Sequence, residues 1–239
     1  SGGRQMPQHY GHKDLKIVSQ SSPTGTQFLQ AVGCAMVCKM ENMKQIVYVS
    51  AGEGTTSQGD FHEALNWASN TKAPVIFHIQ DNEYAISTHR SEQTASSIYD
   101  LTSGYANLAR YNVDGTDFFE TILAFKEATQ RARKGKGPSV IVSNVVRLLP
   151  HSSSDDQRKY RDEKALAQDL NRDPLKILES QCVDADFIKV DEFEKIKTQI
   201  DKQVDDDAIW AEGQEYPDPS TALNYIYSNE NIIEESSFV

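Results

Sequence analysis

Residues 47–88, VYVSAGEGTTSQGDFHEALNWASNTKAPVIFHIQDNEYAIST, decide the fold of this chain. Residues 45–50, at the start of this stretch, are β-branched and apolar enough to predict a buried strand. The turn Gly52-Glu53-Gly54 follows, and its glycines permit tight backbone and a close approach by a ligand. The pattern predicts a strand that delivers an acidic residue to its carboxyl end.

The second half of the stretch repeats this arrangement. Residues 62–70 predict a helix, which Lys72-Ala73-Pro74 ends, and residues 75–79 predict a second buried strand that leads to Gln80-Asp81-Asn82. Consecutive strands joined by a helix lie parallel with a right-handed crossover. Both polar turns are therefore expected at one carboxyl edge of a sheet, where open α/β sheets bind ligands.

The chemistry that these turns suggest is a metal-bound diphosphate. Glu53 offers an anionic oxygen and Asn82 a neutral amide oxygen, and Mg²⁺ uses few protein oxygens and completes its shell with phosphate and water. The alternative is that both are ordinary turns with solvated polar residues, since a short glycine motif is weak by itself.

The stretch resembles the thiamine-diphosphate motif, an acidic glycine turn followed about thirty residues later by an Asn. GEGTTSQGDFHEALNWAS and DNEYAIST resemble the alpha subunits of branched-chain 2-oxo acid dehydrogenases, as do GGRQMPQHYG near the start and HSSSDD at 151–156. The resemblance covers about residues 2–165. It implies a chain that begins inside the alpha subunit and lacks upstream diphosphate contacts.

The resemblance implies roles for several residues. It gives Mg²⁺ three ligands, namely Glu53, Asn82 and the backbone carbonyl of Tyr84. The residues implied to contact thiamine diphosphate are Ser22, Thr24, Gly54, Thr55, Gln80 and His151, where Gln80 replaces the usual Arg. A K⁺ site is implied at Ser21, Pro23, Thr26 and Gln27.

A third polar segment is expected at the same sheet edge. Residues 139–148 predict a strand near the sheet centre, and His151 follows it. A lone His after a strand is usually a loop residue, but an imidazole there could hydrogen-bond a phosphate or transfer a proton. The resemblance makes His151 the catalytic candidate. Arg147 is expected to pair with Asp155, and Ser152 matches a serine that is phosphorylated in mitochondrial relatives.

Taken together, the sequence predicts a three-layer α/β thiamine-diphosphate-binding fold with a mainly parallel sheet and a helical C-terminal segment. The expected domains are 1–165, which lacks its N-terminal part, and 166–239. The implied function is oxidative decarboxylation of a branched-chain 2-oxo acid with acyl transfer to a lipoyl domain. The implied partners are a beta subunit, which supplies the activating Glu, and a lipoyl-bearing acyltransferase. The alternatives are a pyruvate-specific alpha subunit and an assembly module that is inactive alone.

Composition limits the other function classes. The chain has 239 residues, 38% hydrophobic content and a net charge of −11, which argue for a globular protein and against a nucleic-acid or anionic-membrane surface. Its three cysteines, Cys34, Cys38 and Cys182, are too few and scattered for a disulfide framework, which indicates a reducing, cytoplasmic location.

The remaining elements are predicted from local patterns. Strands are expected at 15–18 and 111–113, and helices at 28–40, 104–109, 118–134, 159–167 and 175–181. Residues 87–100 are expected to be irregular, and the helix at 118–134 is expected to have an apolar face of Phe118, Ile122, Phe125 and Ala128 or Ala132. Ser22 and Pro23 are expected to begin the first of these helices as N-cap and first residue, and Thr116 or Asp117 to cap the helix at 118–134. Residues 1–13 predict a loop and 224–239 a loosely held tail.

Overall fold

The computed structural model describes residues 9–221. Its main sheet has four parallel strands in the order β1-β2-β6-β5. A short antiparallel pair, β3 and β4, follows β2. The strands are β1 Val47–Gly52, β2 Val75–Asp81, β3 Tyr84–Ala85, β4 Thr88–His89, β5 Ala109–Asp114 and β6 Ser139–Asn144.

Eight helices surround or follow these strands in the described residues. They are α1 Gln27–Met40, α2 Gly59–Thr71, α3 Arg90–Gln93, α4 Ile98–Leu101, α5 Phe118–Arg133, α6 Glu163–Asn171, α7 Pro174–Asp184 and α8 Val190–Glu212. None of the described helices is both long enough and apolar enough to cross a membrane.

The sheet is covered by helices on both faces, which confirms the three-layer prediction. On one face Phe77 of β2 packs with Phe28 of α1 and Phe61 of α2 in the larger hydrophobic core. On the other face Ile76 of β2 and Ile141 of β6 belong to a smaller core with alanines of α5. Because β2 and β6 are covered on both sides, almost all of their residues are buried.

One polar side chain lies on the sheet face that carries the smaller core. His78 of β2 hydrogen-bonds the Tyr48 hydroxyl through Nδ1 at 2.9 Å and the Ser143 hydroxyl through Nε2 at 3.0 Å. Its ring also meets Phe125 of α5 edge-on. Burial lowers the pKa of His78 because the cationic form loses its hydration. These contacts link β1, β2 and β6.

Three predictions about secondary-structure elements are wrong. Helix α1 begins at Gln27 with Thr26 as its N-cap, because Gly25 at φ 99° turns the chain out of the helical path that Ser22 and Pro23 would have started. Residues 15–18 form only an isolated bridge, between His12 and Ile17. The helix expected at 104–109 is instead a turn leading into β5.

Two further expectations are corrected by the packing. Strand β6 is central, as predicted, but it ends at Asn144 because its neighbours end opposite it, at Asp81 and Asp114. The buried face of α5 consists of alanines at 124, 128 and 132, whereas Phe118 and Ile122 are half exposed. Asp117 caps α5 by accepting a hydrogen bond from the backbone of Glu120, which confirms that prediction.

The chain divides into two compact units. The first described unit comprises residues 21–193 and contains the whole sheet. The second comprises the described residues 9–20 and 194–221. The predicted domains 1–165 and 166–239 stay a prediction, and the predictions for residues 1–8 and 224–239 lie outside the described residues.

Candidate metal and cofactor site

The two polar turns meet at the carboxyl edge of the sheet. Gly52 at the end of β1 is in register with Gln80 of β2, and Glu53 Oε2 accepts a hydrogen bond from the backbone N–H of Asn82 at 3.2 Å. This confirms the predicted adjacency of Glu53 and Asn82. Their role as metal ligands stays a prediction.

Glu53 has a buried carboxylate whose environment suits a bound cation. Glu53 is only 1% exposed, and its Oε1 is buried without a hydrogen-bond partner among residues 9–221. Burial raises the pKa of Glu53, and the backbone N–H groups of Glu53 and Asn82 oppose this shift only in part. A buried carboxylate oxygen with no partner is costly, and a bound cation would remove that cost.

The oxygens around Glu53 fit Mg²⁺. Asn82 Oδ1 accepts a hydrogen bond from the backbone N–H of Tyr84 at 3.0 Å and keeps a second lone pair for a metal. No group of three His, Cys, Asp or Glu side chains is arranged for a metal within the described part of the chain. Mg²⁺ is commonly bound by one or two carboxylates together with waters and phosphate oxygens, so the single carboxylate of Glu53 is sufficient.

Close contact fixes the acidic turn against the second turn. A Cβ atom on Gly54 would lie 2.7 Å from Ala85 Cβ, so only glycine fits there without a shift. Gln93 donates hydrogen bonds from Nε2 to the Gly54 carbonyl at 3.2 Å and to Ser57 Oγ at 2.8 Å. Thr55 lies half-buried in this turn. The sequence pattern gave no signal for Gln93, because it comes from α3, within a segment expected to be irregular.

An ion pair supports the turn after β2. Arg90 pairs with the buried carboxylate of Asp81 and, at 3.3 Å, with Glu83. Asp81 Oδ1 also accepts the backbone N–H of Glu83 at 3.0 Å. The rule that a buried Asp needs a partner could have pointed to Arg90 from sequence. Gln80, expected to face the diphosphate, is exposed at the same strand end.

The residues proposed for K⁺ form a turn before α1. Thr26 Oγ1 donates to the Pro23 carbonyl at 3.0 Å, and Gln27 Oε1 accepts from the backbone N–H of Gly25 at 3.0 Å. Gln27 Nε2 reaches the Ser50 carbonyl of β1 at 3.5 Å. Ser21 is half-buried, whereas Ser22, Pro23 and Thr24 are exposed. The turn therefore presents several oxygens, and its K⁺ and thiamine contacts stay predictions.

His151 lies in an exposed loop that is held from its flanks. Its backbone N–H donates to Asp155 Oδ2 at 2.9 Å. The predicted direct pair of Arg147 with Asp155 is wrong, because the Tyr160 hydroxyl lies between them, 2.7 Å from Arg147 Nη2 and 2.5 Å from Asp155 Oδ2. The hydrogen bond from Tyr160 is the main cause that lowers the pKa of Asp155.

The same arginine joins this loop to the turn after β2. The guanidinium of Arg147 lies 5.5 Å from the Tyr84 ring centre, and that of the buried Arg161 lies 5.0 Å from it. Arg147 Nη1 also donates to the Ile86 carbonyl at 2.7 Å. Tyr84, whose carbonyl is a proposed metal ligand, is therefore in contact with both flanks of the His151 loop.

Comparison with known proteins agrees with this geometry. The model of the family described as "Dehydrogenase E1 component" matches residues 1–220, and the chain belongs to that family. A 2-oxoisovalerate dehydrogenase subunit alpha from Bacillus subtilis is 39% identical over 95% of this chain and 69% of its own length. The mitochondrial subunit of the same name from Mus musculus is 36% identical over 94% of this chain and 51% of its own length.

A third relative carries a related name. The 3-methyl-2-oxobutanoate dehydrogenase subunit alpha from Mycobacterium tuberculosis is 39% identical over 65% of this chain and 42% of its own length. These relatives confirm the resemblance to the branched-chain 2-oxo acid dehydrogenase alpha subunits. The chain spans between two fifths and about two thirds of the length of these three relatives.

Proposed function

We propose that this chain supplies the diphosphate- and metal-binding part of a thiamine-diphosphate-dependent dehydrogenase of branched-chain 2-oxo acids. The observation that carries the proposal is the buried, unpartnered Oε1 of Glu53 beside Asn82 in a member of the E1 component family. The names of the relatives support the substrate class, a 2-oxo acid such as 2-oxoisovalerate.

The residues of the chain have separate tasks in this proposal. Thiamine diphosphate supplies the thiazolium that stabilises the carbanion formed on decarboxylation. Glu53, Asn82 and the carbonyl of Tyr84 hold Mg²⁺, which neutralises the diphosphate. Gly54 brings the acidic turn against Ala85, and Thr55 lies on the same turn toward the cofactor. K⁺ is held by oxygens of Ser21, Pro23, Thr26 and Gln27.

His151 is the proposed catalytic residue. Its imidazole orients the substrate or donates a hydrogen bond to it, and Asp155 holds the backbone of His151 in place. Arg147 and Tyr160 position that loop relative to Tyr84. Ser22 and Thr24 are proposed to contact the thiamine, and the neutral Gln80 to contact the diphosphate.

Partners and location complete the proposal. The name "subunit alpha" of the relatives supports a beta subunit, from which the Glu that activates the aminopyrimidine would come. A lipoyl-bearing acyltransferase is proposed to accept the acyl group. A cytoplasmic location is proposed because all three cysteines are free thiols.

The test is calorimetric titration of thiamine diphosphate in the presence and absence of Mg²⁺. The chain is expected to bind weakly, and only with Mg²⁺. Glu53→Gln removes the anionic ligand and should abolish the Mg²⁺-dependent binding of thiamine diphosphate. The matched control is Glu63→Gln, an exposed carboxylate on α2, which should bind as the unchanged chain does. Equal affinity of the Glu53→Gln variant and the unchanged chain would contradict the metal assignment.

Turnover measurements distinguish the part played by this chain from the activity of the complete enzyme. The chain alone should not decarboxylate 2-oxoisovalerate, and addition of a beta subunit should give activity that is higher with 2-oxoisovalerate than with pyruvate. Activity of the chain alone would show that the active site is placed wrongly. Higher activity with pyruvate would contradict the substrate class.

A further inference from the structure

A basic groove lies at the amino edge of the sheet, opposite the candidate site. It forms where α1, α2 and α5 end and where β1 and β2 begin, and its volume is about 640 Å³. The charged residues that line it are all basic, namely Lys39, Lys44, Lys72 and Arg133. The chain as a whole has 35 acidic and 24 basic residues, so this groove departs from the overall composition.

Three of these cations lie at helix carboxyl ends: Lys39 and Arg133 are in the last turns of α1 and α5, and Lys72 is the C-cap of α2. Cations near helix carboxyl ends stabilise exposed carbonyls and the helix dipole, and Lys39 does this by donating to the Thr71 carbonyl. Lys44, Lys72 and Arg133, in contrast, form no ion pair or side-chain hydrogen bond with any part of the chain between residues 9 and 221. Three cationic groups therefore remain available to a ligand.

The groove also has apolar walls. Met43, Ile46, Pro74 and Ala132 line it together with Cys38. Its volume is in the range of sites for small molecules, which combine an apolar lining with a few placed polar groups. Several converging cations suit a ligand with many anionic oxygens, and both lysine and arginine bind phosphates well.

We propose that this groove binds a small phosphorylated molecule with an apolar or aromatic body, such as a nucleotide. The cations contact the phosphates, and the apolar residues contact the body. Because the groove and Glu53 lie at opposite edges of the sheet, the ligand binds together with the cofactor and does not replace it. The proposal does not depend on the proposed function.

Titration with ATP and with inorganic tripolyphosphate, both in EDTA, tests the proposal. EDTA removes the Mg²⁺ that could carry either probe to Glu53. The double variant Lys44→Gln/Lys72→Asn removes two cations, with Asn at 72 because that residue has φ 51°. Its affinity for ATP should fall about tenfold per lysine, as expected for charge-assisted contacts. The control Lys164→Gln/Lys176→Asn removes two exposed lysines of α6 and α7 and should leave affinity unchanged.

Cys38 provides a second measurement at the groove itself. In a Cys34→Ser/Cys182→Ser background, saturating ATP should slow maleimide labelling of Cys38 at least several-fold. ATP should also bind more tightly than tripolyphosphate because only ATP has an aromatic body. Three results would overturn the proposal: no binding of either probe, equal losses in the two double variants, or an unchanged labelling rate. Binding of poly-glutamate in place of ATP would likewise overturn it, in favour of an acidic protein partner.

Discussion

Gly54→Ala tests whether contact between the two turns holds the candidate site together. The new Cβ would lie 2.7 Å from Ala85 Cβ, whereas ordinary contacts are 3.4–4 Å, so one turn must move by up to about 1 Å. Overpacking of this kind costs about 1–3 kcal/mol of unfolding free energy. Gly59→Ala is the matched control because nothing lies within 4 Å of its Cβ position, and it should be neutral or slightly stabilising.

A second substitution should rescue the first. Ala85→Gly removes the clashing atom and leaves Ala85 Cα, at 3.4 Å, as the nearest backbone atom to the new Cβ. By itself Ala85→Gly should cost about 0.5–1 kcal/mol, and the double variant should be no less stable than that single variant. Urea unfolding of the unchanged chain, the Gly54→Ala and Ala85→Gly variants and the double variant gives the coupling energy between the two positions. A coupling below about 0.5 kcal/mol would refute the reasoning, because contacting residues should not behave additively.

Three further predictions concern the supports of the site and the sheet. Arg90→Gln should cost about 2–3 kcal/mol in urea unfolding because it leaves the buried Asp81 unpaired, and Asp81→Asn added to it should recover part of this loss. The unfolding free energy should fall as the pH drops below about 6.5, because burial lowers the pKa of His78 and the unfolded chain then binds the proton more strongly. His78→Gln should flatten this pH dependence by up to about 1.4 kcal/mol per pH unit. An unchanged slope in that variant would contradict the prediction. Tyr160→Phe should speed tryptic cleavage after Arg158, since the hydroxyl joins both flanks of that loop, and an unchanged rate would count against this support.

The sequence predicted the frame of the site because its signals are local. The β-branched runs of β1 and β2, the helix between them and the rule of right-handed crossover together placed Glu53 beside Asn82. Asp117 was found as a cap because its short side chain precedes a helical pattern directly.

The supports of the site were not predictable in the same way. Gln93 contacts the acidic turn across 39 residues of sequence, and Tyr160 bridges Arg147 and Asp155 across an irregular loop. No periodicity of the sequence encodes either contact. Ser22 and Pro23 resembled a good helix start, but the positive φ of Gly25 moved the start to Gln27. In α5 the pattern predicts a buried face of Phe118 and Ile122 together with Ala128 or Ala132, but only the alanines are buried, which allows the helix to approach the sheet closely.

The stacking of Arg147 and Arg161 on Tyr84 has a consequence for the order of folding. These contacts close loops of more than sixty residues, whereas β1, α2 and β2 assemble from neighbouring segments. Closing a long loop costs chain entropy before any contact forms. This stack should therefore be absent from the folding transition state. Weakening it should therefore accelerate unfolding and leave the folding rate nearly unchanged, which makes the lifetime of the assembled His151 loop a kinetic property that can be tuned separately from the unit of β1, α2 and β2.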